Sequence, residues 1–90
     1  MITVRFTAHL NRWFPGLSSE RLQASTLPEM LTQLDAHHPG LSSWIVDERG
    51  ALRQHVNIFI NREMIHDRKT LGDPLHDGDE VHIFQALSGG

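Results

Sequence analysis

Residues 73–90 of the 90-residue chain have the sequence DPLHDGDEVHIFQALSGG, and this stretch decides the fold. An Asp-Gly-Asp turn leads into residues 80–86, in which Val81 and Ile83 lie on one face. Apolar residues that alternate with a period of two predict a half-buried β-strand. The strand leads to a Gly-Gly pair, which has no side chains to pack and a wide choice of backbone conformations. We therefore expect a last strand followed by a short tail at residues 87–90.

Four earlier segments predict the other strands of the sheet. Apolar residues alternate over residues 2–8, and residues 20–24 alternate weakly after a loop rich in proline, glycine and serine. That loop predicts an antiparallel hairpin. Residues 55–61, HVNIFIN, form a third alternating strand, and residues 63–65 are expected to return as a short edge strand after a turn.

A single main helix is expected between the second and third strands. Thr26 can cap the helix, Glu29 follows in capping-box register, and Pro28 falls in the first turn, where its missing N–H has no cost. The helix should end near residues 37–38, because Pro-Gly follows. Residues 41–54 predict a short helical turn and a loop. One amphipathic helix covers one face of a sheet, so the order β-β-α-β-β-β indicates a two-layer α+β domain.

Composition predicts one small domain, residues 1–90, and excludes several classes of site. The chain has no cysteine, so it has no disulfide framework, thiolate zinc site or thiol nucleophile. No apolar run reaches the roughly 20 residues that cross a bilayer, and the first residues do not form a signal peptide. With a net charge of −3 and no basic block, we expect a cytoplasmic protein that binds neither nucleic acid nor membrane.

The seven histidines and the serines predict no chemical centre. His37 and His38 are adjacent, so on a helix they would point about 100° apart and chelate poorly. No metal-ligand spacing links the later histidines. Solvated or helix-capping histidines are the expected outcome, and the serines have no identifiable base.

The carboxylates around the last turn allow three interpretations. They are close in sequence, which is compatible with a solvated polar turn, a calcium loop or an acidic patch that meets arginines of a partner. The EF-hand spacing is absent, and this favours the solvated turn. The residues concerned are Asp73, Asp77, Asp79 and Glu80.

Two phenylalanines are out of phase with the apolar faces of their strands. In residues 55–61 the inward positions alternate with Phe59, which falls on the polar face of its strand. In the last strand Phe84 falls on the polar face in the same way, and Ala86 follows it on that face. Exposed aromatic residues on neighbouring strands usually mark a protein interface. The alternative is that Trp13 or Trp44 covers them.

The carboxyl terminus suggests a function of its own. Its carboxylate is inert until it becomes a mixed anhydride by attack on the α-phosphate of a nucleotide. Residues 87–90, fully extended, reach roughly 13 Å beyond the strand. This distance suffices to bring the carboxylate of Gly90 into the active site of another protein while Phe59, Phe84 and Ala86 dock outside.

With these motifs the chain resembles the MoaD/ThiS family of ubiquitin-like sulfur carriers, which have the β-grasp fold. The resemblance lies in the β-β-α opening, in HVNIFINRE at residues 55–63 and above all in residues 73–90. It implies a carrier that is not an enzyme. An E1-like adenylyltransferase and sulfurtransferase would activate Gly90 with ATP and convert it to a thiocarboxylate. The tail would consist of Leu87, Ser88, Gly89 and Gly90, and the protein itself would bind no cofactor.

The resemblance also suggests who accepts the sulfur. The length of the chain and the loop at residues 39–54 resemble both MoaD and the carriers of cysteine synthesis. The HVNIFINRE stretch resembles the carriers of cysteine synthesis most, which implies an activated serine on a pyridoxal-phosphate-dependent cysteine synthase as acceptor. A molybdopterin synthase small subunit, with the synthase large subunit as partner, is the second interpretation. A third is a β-grasp interaction module or protein modifier whose Gly-Gly forms isopeptide bonds.

Overall fold

The computed structural model describes residues 1–7, 10, 14, 17 and 19–85. Within them the chain forms five strands and two helices. The strands and the main helix follow in the order predicted from the sequence, and the second helix is the short helical turn predicted in residues 41–54. The elements are β1 (Ile2–Phe6), β2 (Glu20–Leu22), α1 (Leu27–His37), α2 (Leu41–Ile45), β3 (Val56–Ile60), β4 (Glu63–Met64) and β5 (Glu80–Gln85).

The five strands form one mixed sheet in the order β2-β1-β5-β3-β4. The last strand is parallel to β1 and antiparallel to β3, and it lies between them, as the family resemblance implies. The predicted antiparallel hairpin of β1 and β2 is confirmed. Because β5 has neighbours on both sides, its backbone hydrogen bonds are satisfied within the sheet and its position is firmly determined.

Helix α1 begins where its capping residues predict. The N–H of Glu29 donates to the Thr26 hydroxyl over 3.2 Å, and the Glu29 carboxylate accepts from the N–H of Ser25 over 2.9 Å. The reciprocal bond of the capping box therefore reaches one residue further back than the usual pattern. The buried side of the helix consists of Leu27, Met30, Leu31 and Leu34.

Helix α2 is the short helical turn predicted for the start of residues 41–54. The carboxylate of Asp35 accepts hydrogen bonds from the N–H of Gly40 and from both the N–H and the hydroxyl of Ser42. The bonds to Ser42 hold the pKa of Asp35 below its ordinary value. Asp35 thereby joins the end of α1 to the start of α2. Leu41 and Ile45 of α2 enter the core.

The core fills the space between the two helices and one face of the sheet. Alternate residues of each strand point into it, which confirms the inward phase predicted for β1, β3 and β5. Fully buried strand residues are Ile2, Val4, Val56, Ile58, Val81 and Ile83. One face of the sheet is thus covered, and neither of the two helices of the described residues lies on the other face. This arrangement is the predicted two-layer α+β architecture of the ubiquitin-like β-grasp fold.

Helices long and apolar enough to cross a bilayer do not occur in the described part of the chain.

Candidate functional site

The uncovered face of the sheet brings Phe59 and Phe84 together. In the register of β3 and β5, Phe84 lies opposite Asn57 and Phe59 lies opposite His82, so the two phenylalanines are diagonal neighbours. Their ring centroids are 5.9 Å apart at an interplanar angle of 73°, an edge-to-face contact. Phe84 remains 52% exposed. Both phenylalanines therefore lie where the strand phases place them.

Met64 joins them, although the sequence did not suggest it as a site residue. Met64 pairs directly with Phe59 across the β3–β4 hairpin and is 46% exposed. The signal was the two-residue turn at Asn61 and Arg62, since a turn of this length fixes the register of a hairpin. We call Phe59, Met64 and Phe84 the apolar patch.

A shallow hollow of about 240 Å³ lies within this face. It is lined by Phe59, Arg62, His82 and Phe84. The interpretation that a tryptophan covers the phenylalanines does not hold for Trp44, whose ring packs edge-on against Phe14 with centroids 6.1 Å apart. Trp13 lies outside the described residues. The hollow is thus open to a partner in the part of the chain that the structure describes.

Polar bonds hold the edges of this face in place. Nε of Arg5 donates to the Glu80 carboxylate over 3.0 Å, across the β1–β5 pair. The guanidinium of Arg68 donates to Oδ1 of Asn57 over 2.6 Å and to the carbonyl of Arg53 over 2.9 Å. These contacts fix strand side chains on both sides of Phe84, so the patch is part of a rigid surface.

The carboxylates of the acidic turn before β5 form hydrogen bonds and ion pairs within the domain, each with its own partners. Asp79, which is buried, accepts from the side-chain amide of Asn61 and from the N–H of His76, each over 2.8 Å. Asp73 accepts from the N–H groups of His66 and Asp67, which lowers its pKa.

The other two carboxylates of this turn face different partners. Asp77 pairs with the α-amino group of Met1, and Glu80 pairs with Arg5. Within the described residues, no three histidine and carboxylate side chains are placed to hold a metal ion. The carboxylates that are close in sequence therefore bind separate partners.

The rings of His37 and His38 are not arranged as they would be on a continuous helix. The helix ends at His37, and His38 leaves it with φ −134° and ψ 83°. Their rings consequently converge on one carboxylate, with Nδ1 of His37 at 3.3 Å and Nε2 of His38 at 3.1 Å from the oxygens of Glu20. The expectation of divergent rings was wrong because it continued the helix by one residue. The pair links the end of α1 to β2.

The predicted tail starts at the end of the central strand. Gln85 pairs with Val56 on β3, and its N–H donates to the Thr7 hydroxyl over 3.1 Å. The predicted docking residue Ala86 and the predicted tail and carboxylate lie outside the described residues, so their roles stay predictions. These residues are Ala86, Leu87, Ser88, Gly89 and Gly90.

Known proteins match the chain over its whole length. A model of the ThiS family matches residues 4–90. The sulfur carrier protein CysO of Mycobacterium tuberculosis is 31% identical over 91 residues, which cover 99% of this chain and 98% of that protein. Small archaeal modifier protein 3 of Haloferax volcanii is 33% identical over 67 residues, which cover 73% of this chain and 71% of that protein. These relatives are named as a carrier and a modifier, not as catalysts.

A solved structure agrees with this match. A chain in the BexX/CysO complex of Amycolatopsis orientalis superposes with a TM-score of 0.84 at 25% identity, and all of both chains is covered. The fold, the family model and a carrier relative that matches over nearly its whole length lead to the same assignment. The chain belongs to the ThiS family.

Proposed function

We propose that the protein is a sulfur carrier whose C-terminal carboxylate, on Gly90, becomes a thiocarboxylate. The observation that carries the proposal is the family match, which runs to Gly90, together with a sulfur carrier that is similar over 99% of this chain. The sequence ends in Gly-Gly, which lets a narrow tail enter the active site of another protein. The protein is thus the substrate of an enzyme rather than an enzyme.

The chemistry takes two steps on the partner enzyme. A carboxylate oxygen of Gly90 attacks the α-phosphorus of ATP, and pyrophosphate leaves, so that an acyl adenylate forms. A sulfur nucleophile then attacks the acyl carbon, and AMP leaves with the adenylate oxygen. The carboxylate becomes a thiocarboxylate with no change in the oxidation state of its carbon. The carrier contributes only the terminus and the docking surface.

The apolar patch is the proposed docking surface. It lies beside the end of β5, which is the strand that continues into the tail. A partner that covers Phe59 and Phe84 therefore sits close to Gln85, the last described residue before the predicted tail. Aromatic residues and methionine are enriched in the buried centres of interfaces, which supports this use of the patch.

Cysteine synthesis is the proposed destination of the sulfur. The carrier relative is CysO, and the HVNIFINRE stretch supports the same choice. The acceptor would be an activated serine on a pyridoxal-phosphate-dependent synthase, which displaces its leaving group with the thiocarboxylate sulfur. Protein modification is the second candidate, because an archaeal modifier protein is 33% identical over 67 residues.

Intact-mass spectrometry tests the proposal directly. The protein is incubated with ATP, sulfide and the ThiS-family activating enzyme of the same organism, and the expected product is heavier by the exchange of one oxygen for sulfur. A variant that lacks Gly90, and another with alanine added after Gly90, should fold normally and gain no sulfur. Sulfur on either variant would contradict the terminal-carboxylate mechanism.

The same samples separate the two candidate functions and the acceptors. Gly-Gly remnants on lysines of other proteins, with no thiocarboxylate on the carrier, would favour the modifier. Loaded carrier is then offered to O-activated serine on a cysteine synthase and, separately, to a molybdopterin synthase large subunit. Transfer only to the latter would overturn the cysteine assignment and leave the carrier function intact.

A further inference from the structure

Several arginines lie on or beside the open face of the sheet. The chain is acidic, with a net charge of −3, and yet arginines surround the apolar patch. Arg5 and Arg21 occupy outward positions of β1 and β2, Arg62 lines the hollow, and Arg68 reaches Asn57 beside Phe84. We call Arg5, Arg21, Arg62 and Arg68 the arginine frame. They are four of the seven arginines of the chain.

Carboxylates are nearly absent from the same face. Among the residues of the described strands, Glu80 is the single carboxylate in the outward phase, and it is paired with Arg5. The other two acidic strand residues have the inward phase, since Glu20 pairs with Val4 and Glu63 pairs with Ile60. In the described part of the chain, arginine therefore outnumbers carboxylate at the outward strand positions, and Arg62 and Arg68 lie beside them.

Arg62 lies where the backbone does not favour arginine. The hairpin turn gives Asn61 a φ of 50° and Arg62 a φ of 74°, both in the left-handed region. Turns of this kind prefer glycine at the second position, and a residue with a Cβ there costs about 1–2 kcal/mol. Strained residues that the surrounding structure holds in place often mark functional sites. The turn places Arg62 at the rim of the hollow.

The arginine frame and the hollow together indicate which groups a partner needs in order to bind this face. Arginine guanidinium groups bind carboxylates through two parallel hydrogen bonds, and arginine is enriched at the energetic centres of interfaces. In the described part of the chain, neither Arg21 nor Arg62 forms an ion pair. Two cationic groups are thus available to a partner: Arg62 at the rim of the hollow of about 240 Å³, and Arg21 on β2, two strands away from β5 on the same face.

We propose that the partner protein inserts one apolar side chain into the hollow beside Phe59 and Phe84, and that it carries aspartate or glutamate residues that bind Arg62 at the rim of the hollow and Arg21 further out on β2. This inference rests on the proposed function, because it describes the docking surface of the enzyme that loads Gly90. The arginine frame also orients the carrier as it approaches, so that the patch and the tail meet the partner first. Electrostatic steering of this kind acts on the association rate and weakens with salt.

Stopped-flow binding to the activating enzyme, at several salt concentrations, tests the inference. For the double variant Arg21→Glu/Arg62→Glu we expect an association rate at low salt at least ~10-fold below that of the unmodified protein, with the salt dependence reversed or lost. The matched control is Arg49→Glu, an exposed arginine that lines a groove on the helix side. Its association rate should stay within about twofold, because it lies away from the open face.

Arg62→Gly separates a binding role from a structural one. Glycine adopts the left-handed conformation without strain, so thermal stability should be retained or increased. Binding to the activating enzyme should nevertheless weaken. Unchanged binding by both Arg62→Gly and the double variant, with normal sulfur loading, would overturn the acidic-partner inference and leave the carrier function standing. Failure of the unmodified protein to acquire sulfur would overturn the proposed function, and this inference with it.

Discussion

The two faces of the sheet differ at every step along β5. Val81 and Ile83 are buried in the core, with at most 1% of their surface exposed, whereas Phe84 is 52% exposed on the other face. Neighbouring residues on one strand thus serve two purposes. The inner face supplies the burial that stabilises a small domain, and the outer face leaves aromatic and cationic groups accessible.

This division means that stability and binding can be changed independently. A 90-residue domain has a modest core, so each fully buried side chain carries a considerable share of its stability. The open face has no helix over it, and its side chains contribute less to folding. Variants on the two faces should therefore separate a loss of folding from a loss of docking.

The largest expected effect is on the inner face. Ile58→Ala removes a side chain that is fully buried, and we expect the free energy of unfolding to fall by about 2–5 kcal/mol. Chemical denaturation measures this loss. Phe59→Ala, at the next position on the other face, is the matched comparison. An equal loss for Phe59→Ala would mean that the two faces do not differ in the way described.

The second prediction concerns the stability of a loop after β4, in which a carboxylate accepts hydrogen bonds from backbone N–H groups. Asp67 accepts from the Thr70 hydroxyl and from the N–H groups of Lys69, Thr70 and Gly72. The Thr70 hydroxyl is the first cause that lowers the pKa of Asp67, to about 2. In the unfolded chain the pKa is about 3.9, so the ionised form stabilises the fold.

That stabilisation is present above about pH 4 and is lost as the pH falls through about 2. We expect Asp67→Asn to be less stable at neutral pH and to show a smaller decrease of stability between about pH 4 and 2. Thermal denaturation across this pH range measures both. Glu48→Gln, on an exposed turn, is the control and should behave like the unmodified protein. An unchanged acid profile in Asp67→Asn would contradict the assignment.

Phe84→Asp tests the outer face and should have a smaller effect on folding. We expect stability to change by less than about 1 kcal/mol, because half of the side chain is already exposed. Binding to the activating enzyme should weaken strongly, since a carboxylate would replace an apolar contact and add a negative charge to the face that carries the arginine frame. A large drop in melting temperature would instead place Phe84 in the core.

The smallest effect is expected at the edge of the sheet. Glu20→Gln removes the charge that faces His37 and His38, which are bound to its oxygens at 3.3 and 3.1 Å. Partly exposed ion pairs contribute little, so the change in stability should stay within about 1 kcal/mol. Urea denaturation at pH 5.5 and pH 8 measures it. A larger loss would show that this junction between α1 and β2 matters more than surface pairs usually do.

Local sequence patterns were sufficient to predict most of the fold. The capping residues Thr26 and Glu29 predicted the start of α1, and Pro39 after the two histidines predicted its end. Alternation predicted which residues of β1, β3 and β5 face the core. The error at His37 and His38 arose because His38 leaves the helix, and a single backbone conformation at a helix end is not encoded in periodicity.

By itself, the sequence determined the elements, the inward phase of the strands, the outward phase of Phe59 and Phe84, and the Gly-Gly that follows β5. Only the tertiary structure decided what lies near these two residues: Met64 opposite Phe59, the arginine frame, and the hollow that the two rings line with Arg62 and His82. The physical reason is that phase is a local property with a period of two, whereas neighbours on a sheet come from pairing between distant segments. Phe6 and Ile83, for example, pair across almost the whole chain.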